Sequence, residues 1–250
     1  MASREDLVGM LDQLLDSPGF PDYGPNGLQV PGADEVTRVV TGVSATLELF
    51  EIALERGAQA VLVHHGLFWG DAGPLSEVQA ARLRALLAND LNLIAYHLPL
   101  DAHREVGNNA LLISELGLTL ADPLGNYKGR SIGFVGESEG ISGSELFQTI
   151  TERLGRTPLH LDHGPATIRR VGVIAGSAPD YIEEAARAGC DAFITGEPAE
   201  RVNSMAKELG IHFFAAGHHA TEKLGVQKLG ELLADELAVT HEFIDIPNPI

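Results

Sequence analysis

Two adjacent histidines end an apolar run in VLVHHGLFWG, Val61 to Gly70. A second run ends in HLPLDAH, which carries His97, Asp101 and His103. A third ends in GHHATE, with His218, His219 and Glu222. The chain has 10 histidines spread along it, and six of them fall in these three segments. Imidazole nitrogen and carboxylate oxygen form a donor set for divalent transition metals. Each segment also has a plain reading. An HH pair fits a strand end with one core and one exposed ring, HLPLDAH fits a turn, and GHHATE fits a helix start with Glu222 favoured by the helix dipole. Together, all three would have to place imidazoles and carboxylates on one rim by accident. His218 and Glu222 are four apart and face the same way on a helical turn. His64 and His65 point in different directions from extended backbone, and a turn just past the strand lets them serve two ions. Three imidazoles and two carboxylates exceed a simple structural zinc. They suit two divalent ions bridged by a carboxylate, with positions left open for water.

The elements that must position these groups follow from the hydrophobic pattern. Short apolar strands alternate with capped helices, which predicts an α/β fold. Strands are predicted at 38–43, 59–63, 92–96, 131–135, 157–161, 170–175, 191–195, 211–215 and 241–246. Ligands of open α/β sheets bind beyond the carboxyl ends of strands, where the three histidine segments stand. Ser3 with Asp6, Ser76 with Gln79 and Ser142 with Glu145 predict capping boxes. Pro179 and Pro198 are placed as first helical residues. Gly57, Gly117, Gly155, Gly189 and Gly210 are placed as helix stops.

The segment from Arg38, RVVTGVSATLELFEIALERGAQAVLVHHG, aligns without a gap on RVGVIAGSAPDYIEEAARAGCDAFITGEP from Arg170, at an offset of 132. Each is a βαβ unit, so the prediction is two related α/β layers. Shared βαβ geometry and true duplication both account for the match. The turn-rich stretch ADPLGNYKGR, 121–130, is the predicted boundary. It separates a metal-site domain, 1–125 with 216–250, from a second domain, 126–215. The last helix and strand, 219–246, are expected to return to the first domain.

The 17 basic and 35 acidic residues give a formal net charge of −18, which repels nucleic-acid backbone and anionic membrane. A small anionic substrate needs local neutralisation, by metal or by Arg104, Lys128 or Arg130, which are equally well read as solvated surface charges. The one cysteine, Cys190, excludes an intrachain disulfide and a thiolate-rich metal site. No apolar stretch approaches the ~20 residues of a membrane helix. The acidic, capped start has no signal-peptide core, so a cytoplasmic location is expected.

Further pieces complete a pattern: DYGPNGLQV (22–30), LLANDLNLIAYHLPLDAH (86–103), NNALL (108–112), DAFITGEPAE (191–200), FFAAGHHATEKLG (213–225) and FIDIPNP (243–249). With VLVHHGLFW they run over nearly the whole chain. In order and spacing the chain resembles the interacting-factor-three-like family, in the short bacterial form without an inserted middle domain. Bacterial members carry the name GTP cyclohydrolase 1 type 2 homologue. The resemblance implies a toroidal homohexamer with two divalent ions (Zn, Fe or Mn) in each subunit. Carried over by position, the metal ligands are His64, His65, Asp101, His218 and Glu222, with Glu222 a candidate bridge. His97 is the first choice for proton transfer, with an orienting role as its alternative. His219 is the weaker histidine of GHH, and His103 reads as a rim residue. Asn26 reads as part of an Asn-Gly turn. Glu197 stands at the repeat position of His65 and reads as a loop or subunit-contact residue, not a ligand.

Two functions follow. One is a dinuclear metal-dependent hydrolase acting on a purine nucleotide or related small molecule, cyclohydrolase-like or phosphoesterase. The other is a non-enzymatic metal-binding scaffold for protein partners. Open coordination and a nearby acid-base histidine favour the enzyme.

Overall fold

The computed structural model describes residues 2–70 and 73–250. The first stretch of chain runs β1 (Ala2–Ser3), α1 (Arg4–Leu15), β2 (Gly27–Val30), β3 (Glu35–Val36), β4 (Arg38–Ser44), α2 (Leu47–Glu55), β5 (Ala60–His65), α3 (Glu77–Leu87), β6 (Asn92–Ala95) and α4 (Leu98–Asp101). It continues with α5 (Asn108–Glu115), β7 (Thr119–Tyr127), β8 (Arg130–Ile141), α6 (Gly143–Leu154), β9 (Leu159–Leu161) and β10 (Ile168–Val173). A 3-10 turn, Pro179–Tyr181, leads into α7 (Ile182–Arg187), β11 (Ala192–Thr195), α8 (Val202–Leu209) and β12 (His212–Ala215). The chain closes with α9 (His218–Thr221), α10 (Lys223–Leu237) and β13 (Thr240–Phe243).

Two compact units result, Met1–Leu100 with Gly225–Pro247 and Asp101–Leu224 with Asn248–Ile250. In the first, a five-stranded sheet has the order β13-β4-β5-β6-β2. Its core gathers Leu49 and Phe50 of α2, Val61 and Val63 of β5, and Leu86 of α3. In the second, a six-stranded sheet has the order β7-β8-β10-β11-β12-β9. Its core gathers Leu112 and Ile113 of α5, Leu146 and Ile150 of α6, and Ile194 and Phe214 of the central strands. Burying such apolar side chains stabilises each unit by roughly 1.5–3 kcal/mol apiece.

All nine predicted strands are present, as β4, β5, β6, β8, β9, β10, β11, β12 and β13. The repeat appears as geometry. β4 and β5 pair in parallel with Val39 opposite Ala60, and β10 and β11 pair in parallel with Val171 opposite Ala192. These register positions differ by the same offset that aligns the two sequences. The capping boxes at Ser3, Ser76 and Ser142 form, each contributing about 1 kcal/mol.

Three sequence expectations give way. The stretch 121–130 is the turn of a β-hairpin with its flanking strand ends rather than a boundary, and β7 absorbs Pro123 through a register shift between Leu120 and Pro123. A tight turn then joins β7 to β8, with Lys128 at φ 48° and Gly129 at φ 89°, the left-handed pair that a two-residue hairpin needs. The chain passes between units at Leu100–Asp101 and at Leu224–Gly225. The last strand does join the first unit. Pro198 lies in the loop before α8, which starts at Val202, whereas Pro179 opens its 3-10 turn as expected. The strands missed were β1 and β3, of two residues each, β2 behind Asn26-Gly27, and the proline-containing β7.

Candidate metal centre

The first unit brings His64, His65 and His97 together. β5 carries the adjacent pair at its carboxyl end, and β6 lies parallel beside it with Val63 opposite Ala95. That register sets the Tyr96 carbonyl next to His64, whose Nδ1 is 2.9 Å from the oxygen. A carbonyl only accepts, so Nδ1 carries the proton and Nε2 presents its lone pair. Ser44 stands opposite His65 on β4, and its Oγ is 3.1 Å from His65 Nδ1. The ring centroids lie 4.7 Å apart for His64–His65, 5.0 Å for His64–His97 and 5.6 Å for His65–His97. A ring nitrogen from each falls within 4.8 Å of the others.

His97 is held by the DYGPN segment. β2 runs antiparallel to β6 with Gly27 opposite Ala95, which sets residues 22–26 against the end of β6. His97 Nδ1 donates to Asp22 Oδ1 at 2.7 Å. Asn26 Oδ1 accepts from the His97 backbone N–H at 2.8 Å, and Asn26 Nδ2 donates to Asp22 Oδ2 at 2.9 Å. The Leu98 N–H adds a bond to Asp22 Oδ2. Burial works to raise the Asp22 carboxyl, but His97, Asn26 and the Tyr23 N–H outweigh it and hold it below its ordinary range. Asn26 is therefore a clamp on the histidine, not only a turn residue. Asp22 went unnoticed in the sequence, although an Asp four residues before an Asn in a glycine-proline loop was its signal.

The second unit brings Asp101, His218 and Glu222 together. The short helix α9 places His218 Nε2 3.2 Å from Glu222 Oε2, the four-residue spacing read from sequence. Carboxylate oxygens of Asp101 and Glu222 lie within 4.8 Å of each other. Asp101 and Glu222 are buried at 6% and 2% exposure, too deep for ordinary solvated acids. Asn108 Nδ2 donates to Asp101 Oδ1 at 2.9 Å. Asn109 braces the same turn, donating to the Asp101 and Ile132 carbonyls and accepting from the Ala175 N–H.

Glu197 is a loop residue, as read from the sequence, and its carboxylate accepts a hydrogen bond from His218 Nδ1. Burial opposes protonation of His218, yet Glu222 and Glu197 outweigh burial and raise it to about 9. Close approach explains Gly176, at φ 68°. A Cβ there would come within 2.2 Å of Glu222 Oε1 and 3.2 Å of His218 Nε2.

The other positions singled out in the sequence have contacts of their own. His103 Nδ1 accepts from the Glu105 and Val106 N–H groups and caps a turn. The His219 N–H donates to the Ile250 carbonyl. Arg104 donates to the Ala121 carbonyl and lies over the Phe134 ring at 5.4 Å, and Lys128 lies over Tyr127 at 5.1 Å.

These donors fit divalent ions by their chemistry. Imidazoles with a second partner behind them, and carboxylates held by amides, are what metal ligation uses. Fold and side chains together define an α/β protein of two related βαβ units with clustered His, Asp and Glu that can bind metal ions. The family model described as Duf34/NIF3 (NGG1p interacting factor 3) matches residues 2–249. The chain belongs to that family. It is 46% identical over 245 residues to the GTP cyclohydrolase 1 type 2 homolog of Pseudomonas aeruginosa, covering 97% of each chain. It is 45% identical over 250 residues to the Escherichia coli K12 protein of the same name, covering 98% of each. A solved structure described as "Structural genomics, protein ybgI, unknown function" matches with a TM-score of 0.94 and 44% identity, over 100% of both chains. Among the described residues no helix is long and apolar enough to cross a membrane.

Proposed function

We propose that His64, His65, Asp101, His218 and Glu222 would hold two divalent metal ions. The protein is then a metal-dependent hydrolase acting on a purine nucleotide or a related small molecule. One observation carries this reading: each of four ligands has a partner behind it. These are Tyr96 O on His64, Ser44 on His65, Asn108 on Asp101 and Glu197 on His218. Nitrogen and carboxylate donors together admit Zn, Fe or Mn. When bound, such ions supply Lewis acidity and a water acidic enough to react near neutral pH.

The chain's own residues do the rest. His97 is the proton-transfer residue. Asp22 fixes its Nδ1–H, so Nε2 is the atom that takes up or delivers the proton. Trp69 packs edge-on to His97 at 5.0 Å, and Tyr23 flanks it at 6.1 Å. Both aromatics are exposed, at 43% and 56%, and offer a flat ring such as a purine a surface to lie on. The relatives' shared name points to the guanine nucleotide, and cleavage of a phosphoester would use the same donors. The reading includes a toroidal homohexamer in the cytoplasm.

The test starts with metal content by elemental mass spectrometry on protein purified without chelator. Asp101→Asn/Glu222→Gln is expected to hold about two fewer transition-metal ions per chain than the wild type. Metallated protein is then given a nucleotide panel. Turnover that disappears in Asp101→Asn while assembly survives supports the hydrolase. Metallated protein that turns over nothing in the panel is instead a metal-binding scaffold.

A further inference from the structure

A second histidine cluster lies in the second unit and shares no residue with the donor set assigned above. The segment LHLDHGP, 159–165, supplies β9, an edge strand of three residues. β9 pairs antiparallel with β12, Leu161 opposite Phe213 and His160 opposite Phe214. Side chains alternate along a strand, so His160 and Asp162 share one face with His212 and Phe214. The His160 ring stacks on Phe214 at 4.2 Å with the planes 10° apart, which fixes its direction.

His212 is 2% exposed. Its Nε2 donates to the Pro165 carbonyl at 2.9 Å, so that nitrogen carries the proton and Nδ1 faces the cluster. Nδ1 lies 3.2 Å from His160 Nε2 and 3.1 Å from Asp162 Oδ1. Zinc bonds to imidazole and carboxylate of about 2.0–2.1 Å make the edge of a coordination tetrahedron about 3.3 Å. Both separations match that length, and one ligand atom from each of the three residues lies within 4.8 Å of the others.

We infer that His160 Nε2, His212 Nδ1 and Asp162 Oδ1 form a separate binding site for a zinc-type divalent ion, with a fourth position open to solvent. The Pro165 carbonyl orients His212 as such partners do for ligating histidines. The ion would clip the edge strand β9 to β12, where only three residue pairs now hold it. The competing arrangement is a shared proton in the same place.

The experiment uses the full chain with Asp101→Asn and Glu222→Gln, which cripple the other donor set. The protein is stripped with chelator, equilibrated with Zn²⁺, desalted and measured by elemental mass spectrometry. One zinc per chain is expected, and adding His160→Gln with Asp162→Asn should remove it. The side chain of Asp162 is 75% exposed, so its substitution leaves the core untouched. Circular dichroism checks the fold. Cobalt(II) provides a second readout, its tetrahedral visible absorption lost in the same variant. Equal zinc uptake with and without His160 and Asp162, or no uptake in the parent, overturns the inference. His160→Gln/Asp162→Asn alone leaves the five ligands of the proposed hydrolase in place, so each reading fails independently of the other.

Discussion

Glu197 shows how much one side chain can settle. Its carboxylate sits behind His218 and fixes the ring that faces Glu222. Removing such a partner costs about 10–100-fold in metal affinity. Glu197→Gln should therefore bind metal that much more weakly in competition with a chromophoric chelator, while keeping its fold. An unchanged affinity would leave Glu197 without a part in metal binding. Cys190 makes the opposite case, a reactive atom put out of use. Burial pushes its thiol up to about 11, and the thiolate is the nucleophile. Native protein at pH 8 should resist alkylation by iodoacetamide, and urea-unfolded protein should react at once.

At the scale of elements, α10, β4 and β13 meet at one histidine. His241 on β13 bonds Thr41 Oγ1 on β4 at 2.8 Å. A Cβ on Gly230 of α10 would come within 2.1 Å of the His241 ring. Alanine gains up to about 1 kcal/mol over glycine in a helix interior, but three ring atoms stand in the way and the Thr41 bond would be lost with them. Gly230→Ala should destabilise by about 1–3 kcal/mol in urea unfolding. Burial also lowers the His241 pKa, against the pull of Glu231 and Glu242. A histidine kept neutral in the fold binds its proton more readily once unfolded. The stability it contributes is present above the ordinary histidine value of about 6.5 and is lost as pH falls below it. Unfolding free energies at pH 7.5 and 5.5 should show the fall, and His241→Asn should flatten it.

On the scale of the whole molecule, two units with separate cores are each built from two separate segments of one chain. Metal that binds only the folded chain stabilises it by mass action. Chelator should therefore lower the melting temperature, and added Zn or Mn should restore it. A melting temperature indifferent to chelator would argue against bound metal in the purified protein. Light scattering tests the assembly. Six copies of a 26.6 kDa chain give about 160 kDa, and a monomer mass would remove the hexamer from the reading.

Local chemistry made much of this legible in the sequence. Three capping boxes, the nine main strands and the 132-residue offset depend on neighbours in sequence, on hydrophobic period and on glycine stops, and all of them formed. Tertiary structure decided what stands behind each donor. The Tyr96 carbonyl meets His64 because β5 and β6 lie in one register, and Asp22 reaches His97, 75 residues away, because β2 folds back along β6. β7 pairs as a strand despite Pro123 because β8 supplies its partner through a register shift. Hydrogen-bond partners and strand registers are set by what packs beside a segment. A sequence carries the residue types for such contacts, but only the folded chain brings the two ends together.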